Sequence, residues 1–134
     1  MKRRRREFKA PEVIVIYGGS GKGKTRKAYE LCFEDRYVWG PESGDWFDGY
    51  AGHKNVIFDE FRGQISKAKM LRLLDGYPDT QVQIKGGFAY WSPERIVITS
   101  PVKPEHWYSF SETDAFAQLS RRITKTINVD EMTV

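Results

Sequence analysis

Eight residues, Gly18-Gly19-Ser20-Gly21-Lys22-Gly23-Lys24-Thr25, follow the spacing Gly, four residues, Gly, Lys, Ser or Thr. Glycines let consecutive backbone N–H groups turn inward around an anion, with no side chain in the way. Lys24 can reach the β- and γ-phosphates of a nucleoside triphosphate as a point charge. The Thr25 hydroxyl can supply one oxygen to a Mg²⁺ ion that bridges those phosphates. A second chemical signal is the pair Asp59-Glu60, which closes an apolar run 34 residues after Thr25. Asp59 suits Mg²⁺, alongside Thr25 and through water, while Glu60 can orient, or take a proton from, the water that attacks the γ-phosphate. A third is the polar end of Ile98-Thr99-Ser100, where Thr99 or Ser100 can hydrogen-bond that water or the γ-phosphate.

Such chemistry needs elements that bring these residues together. The β-branched run Val13 to Tyr17 reads as a strand, and Arg26 to Phe33 favours helix, so the glycine-rich segment is a strand-to-helix turn. The helix then adds its free N–H groups and positive dipole end to the anion nest. Val56 to Phe61 and Arg95 to Ser100 read as buried strands. Acids and hydroxyls at their ends face the ligand crevice of an open α/β sheet, which lies beyond the carboxyl ends of parallel strands. Arg36 to Gly40 is a further strand, stopped by Gly40-Pro41. Gln64 to Gly76 has helical period, with Ile65, Ala68, Leu71 and Leu74 on one face, Gly76 as C-cap and Pro78 beyond it. Gln81 to Lys85, a Gly86-Gly87 tip, and Phe88 to Trp91 read as a β-hairpin, by spacing alone an ordinary cover for one sheet edge. The aromatics of Trp46-Phe47-Asp48-Gly49-Tyr50 can stack on a base or fill a corner of the core, and packing is the expectation. Ser111 to Asp114 resembles a capping box opening a short helix with Phe116 and Leu119. Arg121 to Val129 reads as a last strand with two arginines at its entrance.

Composition limits the alternatives. A length of 134 residues suits one domain with a continuous core. The single Cys32 cannot form an internal disulfide and reads as a small buried hydrophobe in a reducing compartment; with only two histidines, a structural zinc site is disfavoured. No run approaches a membrane span, so no membrane partner is expected. The net charge of +4 is concentrated: residues 1–9 hold six of the 22 Lys and Arg against one of the 18 acids, leaving 16 basic and 17 acidic residues elsewhere. Residues 1–10 are therefore expected to form a basic disordered arm or linker, suited to nuclear import or to contact with nucleic-acid phosphates, and 11–134 the folded domain.

The order of motifs resembles the superfamily 3 helicase domain of replication initiator (Rep) proteins from small circular single-stranded DNA viruses, the circovirus-like ones in particular. The resemblance runs from Tyr17 to Val129. It rests on Gly18 to Thr25, Trp46-Phe47-Asp48-Gly49-Tyr50, Val56 to Phe61, Leu71-Arg72-Leu73-Leu74-Asp75 with Tyr77-Pro78, Lys85-Gly86-Gly87, Ile98-Thr99-Ser100 with Trp107-Tyr108, and Arg121-Arg122-Ile123-Thr124.

It implies a P-loop NTPase of the AAA+ type, with a central, mostly parallel five-stranded sheet flanked by helices and a β-hairpin insertion. The implied activity is ATP- and Mg²⁺-dependent translocation on single-stranded DNA, with duplex unwinding during rolling-circle replication in the host nucleus. Lys85 would contact a DNA phosphate, and Gly86 and Gly87 would let the strand approach. The Gly18 strand would lie beside the Thr99 strand, with the Asp59 strand next, so that Lys24, Ser100 and Glu60 surround one γ-phosphate. Arg121 or Arg122 would act in the neighbouring subunit's site. Relatives of this kind form rings, taken as hexameric, through a segment mostly missing here, and carry an N-terminal endonuclease domain that nothing before Tyr17 supplies. Most have asparagine where this chain has Pro101, so that either Thr99 or Ser100 senses the phosphate instead or this step is weaker. Two other readings remain open: a nucleotide-dependent nucleic-acid-binding module without unwinding activity, and an RNA helicase.

Overall fold

A computed structural model describes residues 7–19, 21, 23–111 and 116–131. Its centre is a five-stranded sheet built from β1 (Glu12–Tyr17), β2 (Arg36–Trp39), β3 (Asn55–Phe58), β6 (Arg95–Ser100) and β7 (Lys125–Asn128) in the order β2-β3-β6-β1-β7, with every neighbouring pair parallel. The Gly18 strand thus lies beside the Thr99 strand, with the Asp59 strand next. Both faces are buried, which is why the central strands are nearly continuous apolar runs. Val13 and Val15 of β1 join Val56, Phe58, Ile96 and Ile98 in the larger core, while Ile14, Ile16, Ile57 and Val97 point to the opposite face.

Helix α1 (Lys24–Leu31) covers that second face with Ala28, and its cap residue Cys32 packs beside it. Burial pushes the Cys32 thiol up from 9.0 to about 11. Alkylation of the native protein at pH 8 should therefore be slow and become fast on addition of denaturant; rapid native labelling would contradict this burial. Folding stability should also fall between pH 9.0 and about 11, because the folded thiol keeps the proton that the unfolded thiol releases.

The larger core lies under helix α2 (Lys67–Asp75) and short helix α3 (Ala117–Ser120), and is rich in aromatics: Trp39, Phe47, Tyr50, Phe58, Phe61, Trp91 and Trp107. Helix α2 starts later than its periodicity suggests, because the Ser66 hydroxyl caps it by accepting the Lys69 N–H, and it ends at left-handed Gly76 as expected. Its buried side chains are Met70, Leu73 and Leu74; of the face expected from spacing, Ala68 is exposed and Leu71 only partly buried. Met70 opens an i, i+3, i+4 set that fits the true start of the helix. The capping box at 112–114 lies outside the described residues. The expected last strand opens on a turn at Arg121-Arg122, and only four of its residues form β7.

β4 (Gln81–Ile84) and β5 (Gly87–Tyr90) form a separate antiparallel hairpin. Ile84 pairs with Gly87, so the tip is Lys85-Gly86 rather than Gly86-Gly87, with Gly86 supplying the positive φ of +86°. Val82 and Ala89 bury one side of the hairpin, and the Trp91 indole that follows donates to the Leu73 carbonyl at 2.8 Å.

Of the expected basic arm, residues 1–6 lie outside the described residues. The Lys9 N–H donates to the Gly76 carbonyl at 2.9 Å, and the Phe8 ring meets Tyr77 edge-on at 5.1 Å. Among the described residues, no helix is long and apolar enough to cross a membrane.

Candidate nucleotide site and nucleic-acid hairpin

β1 delivers the chain to Gly18 and α1 carries it away from Gly23. Gly21 and Gly23 hold left-handed backbone, at φ +75° and +81°, and a Cβ on either would meet nothing within 4 Å. The cradle is open where an anion would enter. Among the described residues no side chain caps the start of α1, and its first turn holds no acid, so the helix presents its unpaired N–H groups to the loop. Ser20 and Lys22 lie outside the described residues.

Lys24 is 4% exposed; its Nζ donates to the Gly18 carbonyl at 2.6 Å and sits 3.6 Å from Glu60 Oε1. Next to it, the Thr25 hydroxyl donates to Asp59 Oδ1 at 3.1 Å. The phosphate loop and the acidic pair therefore meet directly. Thr99 ties the arrangement together, donating to Asp59 Oδ1 at 3.1 Å and accepting the Glu60 N–H at 2.9 Å. Glu60 adopts φ +53°, a left-handed conformation that non-glycine residues seldom hold. That turn swings its carboxylate toward Lys24 on one side and Arg62 Nη2, at 3.7 Å, on the other. The Ser100 hydroxyl, fully buried, accepts from the Trp107 indole at 2.9 Å and the Val102 N–H at 3.2 Å. Of the two sensor candidates, Thr99 is thus joined to the acids and Ser100 to Trp107.

This arrangement fits its implied ligands. Thr25 and Asp59 are hard oxygen donors facing each other, and Mg²⁺ takes only one or two such protein oxygens, filling the rest of its shell with water and phosphate oxygens. Among the described residues no group of three or more His, Cys, Asp or Glu side chains could hold a metal alone.

Lys85 is exposed at the hairpin tip, well apart in sequence and element from the loop, and its N–H is held by Asp48 Oδ1 at 2.6 Å. Neither Gly86 nor Gly87 has an atom within 4 Å of where a Cβ would be. The aromatic segment divides. Phe47 and Tyr50 pack in the core as expected, but Trp46 is 53% exposed and pairs through its backbone with Gln83 of the hairpin. Trp46, Asp48, Gln83 and Lys85 border one surface cavity of about 510 Å³. Spacing could not separate Trp46 from its neighbours; the alternation of faces across a one-residue step could have suggested it.

The two arginines are also distinguished. Arg122 Nε reaches Asp75 Oδ1 at 2.5 Å, and its Nη1 donates to the Gln118 carbonyl. Arg121 is exposed, and its guanidinium has no ion-pair partner among the described residues.

Sheet order, phosphate loop and acidic pair together define a P-loop NTPase of the AAA+ type. The fold is similar to part of S. cerevisiae Hsp104, solved as a complex with casein: the TM-score is 0.51 at 16% identity, covering 89% of this chain and 29% of that one. The chain belongs to the RNA helicase family, whose sequence model matches residues 14–84. It is 42% identical to the replication-associated protein of Canary circovirus over 90% of this chain and 39% of that protein, and 42% identical to that of Beak and feather disease virus over 95% and 42%. For the replication-associated protein of Porcine circovirus 2 the figures are 37% identity, 94% and 40%. The chain spans about two fifths of the length of these relatives, and corresponds to the helicase domain of a viral replication-associated protein.

Proposed function

We propose that this domain is a Mg²⁺-dependent ATPase that drives translocation on single-stranded DNA and unwinds duplex during rolling-circle replication of a circular viral genome. The observation that carries the reading is the meeting of Lys24 and Thr25 with Glu60 and Asp59 at the end of the sheet. Lys24 and the loop amides bind the phosphates. Thr25 and Asp59 hold Mg²⁺, which when bound neutralises charge on the phosphate oxygens. Glu60 orients the attacking water and takes its proton. Thr99 positions both acids, so a change at either one reaches β6 through a single side chain. Arg121 completes the site of a neighbouring subunit in a ring, taken as hexameric, where it stabilises charge on the transferring phosphoryl group. The basic run at residues 2–9 supports import into the host nucleus, and the greater length of the replication-associated relatives leaves room for the N-terminal endonuclease domain that the resemblance implies.

Lys85 and Trp46 form the proposed contact with the strand, the cation on a phosphate and the exposed indole on a base. Each stacked base contributes about 1–3 kcal/mol. Trp46→Ala should therefore weaken binding of a labelled oligothymidylate at least about fivefold, and Lys85→Ala should weaken it while flattening its salt dependence. Unchanged affinity in both variants would remove the hairpin from the nucleic-acid path.

The family's description favours a second reading, with RNA as the strand. A strand-displacement assay on the assembled protein, with ATP and matched DNA and RNA duplexes, tests the proposal. Unwinding of DNA supports it, unwinding of RNA alone replaces DNA by RNA, and ATP-dependent binding without displacement of either duplex overturns the motor function.

A further inference from the structure

One carboxylate at the crevice has no part in the chemistry above. Asp130, two residues beyond β7, accepts the Gly19 N–H with both oxygens, each at 3.1 Å, and its own N–H donates to Asn128 Oδ1 at 3.0 Å. Gly18 abuts the same turn: a Cβ there would lie 2.5 Å from Val129 Cγ2 and 3.2 Å from the Asp130 carboxyl carbon. The turn is seated on the first two residues of the phosphate loop. A negative charge beside an anion cradle opposes phosphate binding unless it meets a donor. The phosphates of a nucleoside triphosphate carry only acceptors near neutral pH; its donors are the ribose hydroxyls and the N–H groups of the base.

Strand order sets which end of the nucleotide reaches Asp130. Tyr17, the last residue of β1, is flanked in register by Ser100 on β6 and by Asn128 on β7. Asp59, Glu60 and Thr99 all lie on the β6 and β3 side, so the terminal phosphate belongs there. The phosphates cross the loop, and the nucleoside falls on the β7 side, beside Asn128 and Asp130. The ribose is the first donor-bearing group past the α-phosphate and comes before the base, which makes it the nearer partner for a carboxylate bonded to the loop itself. An ionised carboxylate has about four lone-pair sites, so the bonds to Gly19 leave acceptor capacity facing solvent. We infer that Asp130 accepts hydrogen bonds from the ribose hydroxyls of the bound nucleotide, a specificity contact that rests on the nucleotide-site reading above.

The test is equilibrium binding of ATP, 2′,3′-dideoxy-ATP and inorganic tripolyphosphate, in Mg²⁺ buffer, to the unmodified chain and to Asp130→Ala and Asp130→Asn. The unmodified chain should prefer ATP over the dideoxy analogue about tenfold or more. In Asp130→Ala the two nucleotides should bind about equally, while tripolyphosphate binding holds or strengthens with the carboxylate gone. Asp130→Asn, which keeps one acceptor oxygen, should recover part of the preference. A preference retained in Asp130→Ala, or no preference in the unmodified chain, overturns the ribose contact. So does parallel loss of ATP and tripolyphosphate binding in Asp130→Ala, which would make the residue only a prop for the loop. If the unmodified chain binds neither ATP nor tripolyphosphate, the nucleotide-site reading fails first and takes this contact with it.

Discussion

Arg121→Ala should lower the ATP turnover of the assembled protein by about 10³-fold or more, with the melting temperature of the domain unchanged. The guanidinium is exposed at the end of α3 and has no ion-pair partner among the described residues, so its removal leaves no buried group unpaired. Arg122→Ala should behave in the opposite way. That side chain joins α3 to the end of α2 through Asp75, and both partners are largely buried, at 14% and 19% exposure. Its loss leaves the Asp75 carboxylate without its cation and should destabilise the domain by about 3 kcal/mol. Mixing each variant with Lys24→Ala subunits adds a second readout. A residue acting across an interface is revealed when Arg121→Ala subunits, which keep an intact phosphate loop, regain turnover on mixing with Lys24→Ala subunits, which keep the arginine. If Arg122→Ala abolished turnover at full stability while Arg121→Ala left it intact, the two roles would have to be exchanged.

The second large effect separates binding from hydrolysis. Lys24→Ala should weaken ATP binding by about 10²-fold or more, since it truncates a buried charge whose partners are the loop carbonyl and Glu60. Glu60→Gln keeps the size and the backbone turn of the residue, so nucleotide affinity should hold while hydrolysis falls about 10²- to 10⁴-fold. Fluorescent-nucleotide titration and phosphate release, read side by side, distinguish the two outcomes. Full turnover in Glu60→Gln would mean that another group handles the proton. Loss of binding in that same variant would mean that Glu60 serves chiefly to hold Lys24 in place.

Motif chemistry was the most legible part of the chain. A strand, a glycine-rich turn and a helix leave few alternatives for residues 13–31, and the apolar runs ending at Asp59 and Ser100 placed the crevice because parallel strands bury both faces. The resemblance supplied the strand order, which local pattern cannot reach: β1 pairs with β6 and β7, each separated from it by more than half the chain. Side-chain partners were beyond both. Nothing in the spacing of Arg121-Arg122 says which one meets Asp75, and nothing in Thr99-Ser100 says that Trp107 takes the second hydroxyl. Helix α2 shows how small the margin is. Its start moved by three residues once Ser66 capped it, and the buried set passed from Ala68 and Leu71 to Met70 and Leu73. By pattern Trp46 packs with its neighbours, yet it is exposed while the very next residue, Phe47, is buried.

The strand order also bears on how copies of this domain can meet. Its outermost strands, β2 and β7, are each four residues long and open with Arg36 and Lys125. Short margins that begin with a cation are poor templates for another strand, because extension there would bring like charges together and gain few ladder bonds. Subunits are thereby steered away from growing into a continuous sheet. In the proposed ring, helix ends and loops would then make the contacts, and such contacts can loosen and re-form more readily than a shared ladder.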